Sequence, residues 1–328
     1  MFEGILGHEA QKNEILKQME EHKISHAYIF EGISGIGKSL VAKSFARGIL
    51  CDASVYACGE CRSCRLYKAQ THPDYLEVID EKSVKVKDIL EVSEFLRTKP
   101  ILSRYKVVLI RDAHKMTTGA QNKLLKIFEN PPAYVVIILV VDNMDLVLDT
   151  VQSRGYRIYF KELTEKNIQD FLQVHYQLSQ EEMLYSVRFS QGSVARAAAI
   201  AGAMDTQNLI GYPERIFNAI VGNDPYQSLK LLQEVSSAPE LIEYLLTWIR
   251  DISILKESPD TGVFNESRLN ALRSHAVEFD TPVLMNFAEI LEKGKRMIAG
   301  NINPVVSLNY CLLKIQEEYY EFSRRREI

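Results

Sequence analysis

Residues 27–42 read AYIFEGISGIGKSLVA, and this stretch decides the fold of the chain. Its first four residues form an apolar run that predicts a buried strand, and the apolar spacing from Leu40 onward predicts a helix. The pattern G-x-x-x-x-G-K-[ST] lies between them with a third glycine inside it, and the residues concerned are Gly32, Gly35, Gly37, Lys38 and Ser39. Such glycines turn backbone amides toward a phosphate, the lysine reaches the terminal phosphates, and the hydroxyl ligates magnesium. The stretch therefore predicts binding of ATP or ADP with Mg²⁺.

Strands and helices alternate on both sides of this loop. Further strands are predicted at residues 75–79, 107–110 and 135–141, and further helices at 9–21, 86–96 and 120–129. This alternation predicts an α/β domain with a parallel sheet and helices on both faces. Beyond Phe160 only helical periodicity remains, with interruptions predicted at residues 191–193, 222–225, 258–260 and 301–304. We therefore expect a nucleotide-binding domain at 1–162, a small helical domain at 163–207 and an all-helical domain at 208–328.

Length and charge limit the kinds of function. A chain of 328 residues favours two or three domains, and its formal net charge of −4 provides no overall basic field for nucleic acid. The longest apolar run, residues 134–141, is too short to cross a bilayer, and residues 1–4 lack the pattern of a secretory signal. We expect a cytoplasmic protein without a membrane span, whose contacts with DNA are local or shared with partners.

Four of the five cysteines lie close together after the helix that follows the phosphate loop. They have the spacing C-x6-C-x2-C-x2-C and are Cys51, Cys58, Cys61 and Cys64. In a chain without an export signal, such clustering indicates a metal rather than disulfides. Four thiolates suit tetrahedral Zn²⁺ and leave no position open for a substrate, so the sequence predicts a structural zinc module at about 51–64. The alternative is a surface loop of reduced cysteines.

The strand at 107–110 ends with fewer acids than ATP hydrolysis requires. P-loop ATPases hold magnesium with an acid at the end of a neighbouring strand, and many add a second acid that positions water. Here the strand is followed by Arg111, Asp112 and Ala113. In either alignment Asp112 is the one acid available, and it cannot fill both positions because neighbouring strand residues point to opposite faces. We therefore predict weak or absent intrinsic ATPase activity, the alternative being a carboxylate supplied from elsewhere.

Several segments together resemble the bacterial DNA polymerase III clamp-loader subunits, which are AAA+ proteins, and within them the delta-prime type. They follow one another in the family's order: residues 26–30, the phosphate loop, the cysteine insertion, residues 123–132 (KLLKIFENPP), residues 153–155 (SRG) and, near the end, residues 301–304. The resemblance covers the chain to about residue 200. It implies an AAA+ nucleotide-binding domain, a helical lid and a carboxyl-terminal helical collar that mediates oligomerisation.

The resemblance also implies roles for three residues. Arg154 would be an arginine finger that acts in the ATP site of a neighbouring subunit, although Gly155 replaces the cysteine usual in that motif. Asn143 corresponds to the polar sensor of the first domain, and Arg196 to the second sensor in the lid.

The resemblance implies a component of a hetero-pentamer rather than a self-sufficient enzyme or a polymerase. Its partners would be the delta and tau/gamma motor subunits, together with the sliding clamp and primer-template DNA, and the complex would load the clamp onto primed DNA during replication. Two other interpretations remain at this point: an active ATPase motor subunit of the same loader, and a free-standing P-loop ATPase or kinase.

Overall fold

The computed structural model of the chain describes residues 1–54, 56–80, 82–202, 206–222, 224, 226, 230, 238–258 and 262–326. The strands are β1 Ala27–Glu31, β2 Tyr75–Val78, β3 Lys106–Ile110, β4 Val135–Val141 and β5 Tyr156–Tyr159. The first helices are α1 Glu9–Glu20, α2 Lys38–Leu50, α3 Arg62–Lys68, α4 Val86–Arg97, α5 Thr118–Glu129, α6 Asp149–Gln152 and α7 Glu165–His175. The remaining helices are α8 Gln180–Phe189, α9 Val194–Gly202, α10 Thr206–Val221, α11 Ala238–Glu257, α12 Leu269–Glu278, α13 Thr281–Ala299 and α14 Pro304–Arg326.

The chain divides into two compact units. The first comprises Met1–Phe171 with Ser190–Arg196, and the second comprises Leu172–Phe189 with Ala197–Ile328. The first unit holds the sheet, and the described residues of the second are helical or lie in connecting segments. The α/β class and the helical carboxyl-terminal region are thereby confirmed, while the division into three domains stays a prediction. No helix in the described ranges is both long and apolar enough to cross a membrane.

The sheet of the first unit is parallel throughout and has the strand order β2-β3-β4-β1-β5. Successive residues of β1 face opposite sides, because side chains alternate along a strand. Ala27 and Ile29 pack in the core that contains α4 and α5, whereas Tyr28 and Phe30 pack in the core that contains α1 and α2. Helices therefore cover both faces, as predicted. The carboxyl ends of β1, β3 and β4 meet at one edge, where the phosphate loop begins.

Three elements of the first unit, β5, α3 and the four-residue helix α6, do not appear among the predicted ones. β5 pairs with β1 alone, and of its four residues only Ile158 is buried. A strand with one buried position lacks the alternation by which strands are recognised. Helix α3 lies inside the cysteine segment, whose sequence follows the spacing of the cysteines and shows no helical repeat of apolar residues. The predicted interruptions at 191–193 and 301–304 are confirmed, but those at 222–225 and 258–260 include residues outside the described ranges.

A buried histidine lies in the helical core of the second unit. Trp248 is fully buried, and its indole N–H donates to His275 Nδ1 at 3.2 Å, while His275 Nε2 lies 2.9 Å from Asn218 Oδ1. An imidazole that accepts at Nδ1 and donates at Nε2 is neutral. Burial lowers the pKa of His275 from its ordinary value of 6.5 to about 4. The folded unit therefore favours the uncharged ring.

We expect the second unit to lose stability as the pH falls from 7 to 5. Because the unfolded histidine binds a proton near pH 6.5 and the folded one near pH 4, the stabilisation is present above 6.5 and is lost on acidification through this window. Urea unfolding followed by the fluorescence of Trp248, the only tryptophan, should show a loss of about 2 kcal/mol over this range. The His275→Gln variant should show a flatter pH dependence and the exposed control His22→Asn an unchanged one. An unchanged slope in His275→Gln would refute this assignment.

Candidate nucleotide and metal sites

The phosphate loop leaves β1 and enters α2 through glycines that other residues could not replace without strain. Gly35 has a φ of 77°, and a Cβ there would overlap Ser193 Oγ and the side chain of Ala195. The amide of Ala195 also donates to the carbonyl of Gly35 at 3.0 Å. At Gly32, a Cβ would overlap the backbone oxygen of Phe160. The loop is therefore held between the end of the sheet and the start of α9.

The remaining residues of the motif lie at the start of α2. Gly37 precedes the helix with a φ of 103°, and its carbonyl accepts hydrogen bonds from the amides of the first helical turn. Ser39 lies half-buried in that turn. The helix amino terminus contributes a partial positive charge that favours an anion at the loop. This arrangement fits the phosphates of a nucleotide, and Ser39 is the residue whose hydroxyl would ligate Mg²⁺.

Lys38 makes two contacts within the chain, although its side chain is only 3% exposed. Its Nζ donates to the carbonyl of Ile33 at 2.6 Å and lies 2.8 Å from Asp142 Oδ1. Asp142 follows β4 directly, and the register pairs Val141 with Glu31 at the start of the loop. The strand next to β1 therefore brings a carboxylate to the phosphate-binding lysine.

Asp142 belongs to a small polar cluster with Asp112 and His114. Their carboxylate and ring atoms lie within 4.8 Å of one another, and the amide of Asp142 donates to His114 Nδ1 at 3.2 Å. Asp112 begins a turn after β3 with a φ of 48°, and its Oδ2 lies 3.5 Å from Lys115 Nζ. The structure thus brings the predicted residues Lys38 and Asp112 to one site through Asp142.

Arg111 has its partner on another strand. Its Nη1 lies 3.9 Å from Glu77 Oε1 of β2, and the same oxygen lies 2.9 Å from Lys43 Nζ. Asp112 is therefore the residue from the end of β3 that joins the cluster.

Sequence reasoning missed Asp142 and gave no role to His114. The available signal was an acid immediately after the apolar strand 135–141. The carboxyl ends of adjacent parallel strands lie at the same edge of the sheet, so an acid there is close to the phosphate loop. Asn143, the predicted sensor, uses its carboxamide oxygen to accept the amide of Asp145 at 2.9 Å.

Two predicted arginines make local contacts. Arg196 Nη1 donates to Gln191 Oε1 at 2.9 Å, while the neighbouring Ala195 contacts the phosphate loop. Arg154 follows α6, and its Nη1 donates to the carbonyl of Thr150 at 2.9 Å. Its Nη2 lies 3.8 Å from Glu129 Oε1, and its side chain is 38% exposed. The roles of Asn143, Arg196 and Arg154 stay predictions.

The four clustered cysteines converge on one point between α2 and α3. Their sulfurs all lie within 4.8 Å of one another, and Cys51 Sγ is 3.7 Å from Cys58 Sγ and 3.9 Å from Cys61 Sγ. A tetrahedral zinc ion with Zn–S bonds of about 2.3 Å requires sulfurs about 3.8 Å apart. The donor set therefore fits Zn²⁺, and Cys51, Cys58, Cys61 and Cys64 are the residues that would hold it.

Backbone amides favour the thiolate form of Cys61, whereas burial disfavours that of Cys64. Burial alone would raise the pKa of Cys61, but hydrogen bonds from amides, first that of Cys64, outweigh it and lower the pKa to about 6. Burial raises the pKa of Cys64 to about 12, so this thiol needs a metal to lose its proton at neutral pH. Arg62 and Arg65 are exposed on α3 and adjoin Cys61 and Cys64 in sequence, so they would offset part of the negative charge that four thiolates bring.

A buried polar network lies directly behind the cysteine cluster. Ser63 and Ser103 both donate to the carbonyl of Leu50, at 2.5 and 2.7 Å. His72 Nε2 lies 2.7 Å from Ser63 Oγ and 3.3 Å from Ser103 Oγ. Since Leu50 precedes Cys51 and Ser63 lies between Cys61 and Cys64, the network orients the cluster against the rest of the unit.

The same network continues to a buried carboxylate. The amide of Asp74 donates to His72 Nδ1 at 3.0 Å, which places the histidine proton on Nε2. The carboxylate of Asp74 accepts the amides of Ile101, Leu102 and Ser103 at 2.7 to 2.8 Å. Burial raises the pKa of Asp74, but these three amides outweigh it and lower the pKa. The loop at 101–103 is thereby fixed to the start of β2.

Sequence comparison matches the chain to subunits of DNA polymerase III. The family described as DNA polymerase III, delta subunit matches residues 7–164. The delta-prime subunit of DNA polymerase III from Escherichia coli K12 is 30% identical over 231 residues, which cover 69% of this chain and 69% of that protein. The tau/gamma subunit from Haemophilus influenzae is 25% identical over 342 residues, which cover 95% of this chain and 49% of that protein. The chain thus spans about half the length of this tau/gamma relative.

Among solved structures, a gamma-subunit-related protein from Thermotoga maritima matches 94% of this chain and 99% of its own, with 17% identity and a TM-score of 0.47. Because that score is below 0.5, the family assignment rests on sequence.

Proposed function

Because the chain belongs to the DNA polymerase III delta-type clamp-loader family, we propose that it serves as a delta-prime-type subunit of the loader. In this role it acts in the cytoplasm within a hetero-pentamer that contains delta and tau/gamma motor subunits. The complex opens the sliding clamp and places it on primer-template DNA. The chain holds ATP or ADP with Mg²⁺ at its phosphate loop and zinc at its four cysteines, and it contributes Arg154 to the ATP site of a neighbour.

The proposal rests mainly on the number of acids that follow β3. Arg111 pairs with Glu77 of β2, so that strand end contributes one acid, Asp112, to the nucleotide site. Hydrolysis in AAA+ motors uses an acid for magnesium and a second acid for water. A subunit with one such acid binds nucleotide but hydrolyses it poorly, and its contribution to turnover must be made at another subunit's site.

Arg154 has the properties required for such a contribution. Its guanidinium is partly exposed and is held by Thr150 and Glu129 of its own chain. A guanidinium has five N–H donors in a rigid fork, so donors remain for the phosphate oxygens of a neighbouring site. In the ATP site of the neighbour, its charge would stabilise the transferring phosphoryl group.

The exposed face of α14 supports assembly through the helical region. Val306, Leu313 and Tyr320 are 56%, 48% and 48% exposed and recur every seven residues along this helix. Apolar residues at that spacing form a stripe that packs against another helix. We therefore propose that α14 contributes to the collar formed with the other loader subunits.

The chain's own phosphate loop should matter little for catalysis by the loader. We expect Lys38→Ala to reduce clamp-dependent ATP turnover less than about twofold in the reconstituted loader, because the hydrolytic sites belong to other subunits. The measurement is phosphate release with clamp and primed DNA, and Arg154→Ala should cause the much larger loss. A large loss in Lys38→Ala with a small one in Arg154→Ala would contradict the proposal.

An active motor subunit is the second candidate, and one observation favours it. Asp142 brings a second carboxylate close to Asp112, as a motor site would need. This candidate predicts ATP hydrolysis by the isolated chain that disappears in Asp112→Asn. The delta-prime proposal predicts background hydrolysis in both proteins, so the same assay separates the two candidates.

A further inference from the structure

The ammonium group of Lys38 is already engaged where a nucleotide must use it. Lysine has three N–H donors, and two of these contact Ile33 O and Asp142 Oδ1. The lysine of this motif contacts both the β- and γ-phosphates, which needs at least one donor now in use. We infer that Asp142 limits the nucleotide affinity of the phosphate loop by retaining Lys38. This inference rests on the proposed nucleotide binding and identifies the residue that controls its strength.

The sheet, rather than a flexible loop, fixes the position of Asp142. Its predecessor Val141 is paired in register with Glu31, and the carbonyl of Val141 accepts the amide of Gly32 at 3.2 Å. Its own amide donates to His114 at 3.2 Å. The carboxylate is thus anchored on the strand adjacent to the loop, and Lys38 reaches it while only 3% exposed. Because the Asp142 side chain is 23% exposed, the contact is partly buried, and such a contact is screened by water and salt less than a surface pair.

The charges around the contact oppose an incoming phosphate. If Lys38 turns to the nucleotide, the carboxylate of Asp142 loses its cation while it stays within 4.8 Å of the carboxylate of Asp112. Lys115, at 3.5 Å from Asp112, offsets part of this negative charge. In the free state each carboxylate has a nearby cation, Lys38 for Asp142 and Lys115 for Asp112. In the bound state the phosphate oxygens come close to an Asp142 carboxylate that has lost its cation. The loss of the Lys38–Asp142 contact and the repulsion between carboxylate and phosphate both weaken nucleotide binding.

A retaining role and a magnesium-binding role for Asp142 predict opposite effects of one substitution. If Asp142 retains Lys38, an amide at this position releases the lysine and removes a negative charge, so nucleotide binds more tightly with or without Mg²⁺. If Asp142 instead holds Mg²⁺ beside the phosphates, the same change weakens binding in Mg²⁺ and has no such effect in EDTA.

The test is calorimetric titration of the full-length chain with ATP and with ADP, in Mg²⁺ and in EDTA. We expect Asp142→Asn to bind at least about tenfold more tightly than the wild type in both conditions. The exposed neighbour Asp145 provides a matched control, because Asp145→Asn makes the same chemical change without a contact to Lys38. Affinity that is unchanged or weaker in Asp142→Asn, including a loss confined to Mg²⁺, overturns the inference.

A second variant separates this inference from the proposed nucleotide binding. Lys38→Met should remove most of the tightening when combined with Asp142→Asn, because the released lysine carries most of the gain and only the loss of one negative charge remains. If neither the wild type nor Asp142→Asn binds ATP or ADP, nucleotide binding at this loop is wrong and the inference falls with it. If the wild type binds and only the expected gain is missing, the inference alone falls. Neither outcome affects the role of Arg154, which is measured in the assembled loader.

Discussion

Clamp-dependent ATP turnover is expected to fall steeply when Arg154 of this subunit is replaced with alanine in the reconstituted loader. An arginine finger contributes about 10³-fold or more to the rate at the site it serves. Its loss should therefore nearly silence the neighbouring motor site in single-turnover hydrolysis with clamp and primed DNA. Arg154→Lys should recover only part of the rate, because an ammonium keeps the charge but lacks the planar fork that contacts two phosphate oxygens.

A surface arginine provides the control for this experiment. Arg97 ends α4, is 71% exposed and pairs only with Glu94 among its described contacts, so Arg97→Ala removes one positive charge without touching the proposed finger. Both variants should still co-elute with the other subunits, since the contacts that the structure describes for the Arg154 side chain, to Thr150 and Glu129, are solvent-exposed. Full turnover in Arg154→Ala, or an equal loss in both variants, would show that Arg154 is not a finger.

Loss of the metal is the change expected to damage the first unit most. We expect the purified chain to contain one zinc ion, and Cys64→Ser to contain none, because serine is a poor ligand for zinc in a thiolate site. The cost should be about 3 kcal/mol or more of folding free energy, which corresponds to a fall in Tm of roughly 6–12 °C. Metal content is measured by elemental analysis and stability by calorimetry on the same samples.

Cys311 supplies the matched control for the zinc experiment. It is fully buried in α14, far from the cluster in sequence, and its Sγ donates to the carbonyl of Ile290 at 3.3 Å. Cys311→Ser should keep one zinc ion per chain even if the hydroxyl costs some stability in that core. If Cys64→Ser retained its zinc, or if the wild type contained none, the assignment of the four cysteines would be wrong.

The sheet could be predicted well because its central strands are almost purely apolar. β3 and β4 are buried at every position, so the apolar run alone marks them, and the glycine-rich loop marks β1. The edge strand β5 could not be predicted, since one buried residue in four leaves no pattern to detect. Helix α3 was not predicted because its seven residues lie in the cysteine motif and show no apolar stripe.

Apart from Asp112, which follows a predicted strand, the candidate site was predictable only where its residues are neighbours in sequence. The phosphate loop and the four cysteines are local motifs, so their spacing alone indicates what they bind. The contact between Lys38 and Asp142 depends on the pairing of β1 with β4, which no local pattern encodes. The same holds for His72, whose partners Ser63 and Ser103 come from separate segments. Such contacts between distant parts of the sequence depend on how the strands and loops are arranged in the fold.

The hydrogen bonds around His72 connect the four-cysteine cluster to residues that are not metal ligands. A displacement of α3 would pull Ser63 away from Leu50 and His72, and His72 is also in contact with Ser103. A shift of the cysteine cluster would thus move Ser63, His72 and Ser103 in turn. Ser103 belongs to the loop at 101–103, in which Ile101 is 76% exposed at the protein surface. Zinc bound by the four cysteines would therefore help to fix the position of the exposed Ile101 side chain, although Ile101 is not a metal ligand.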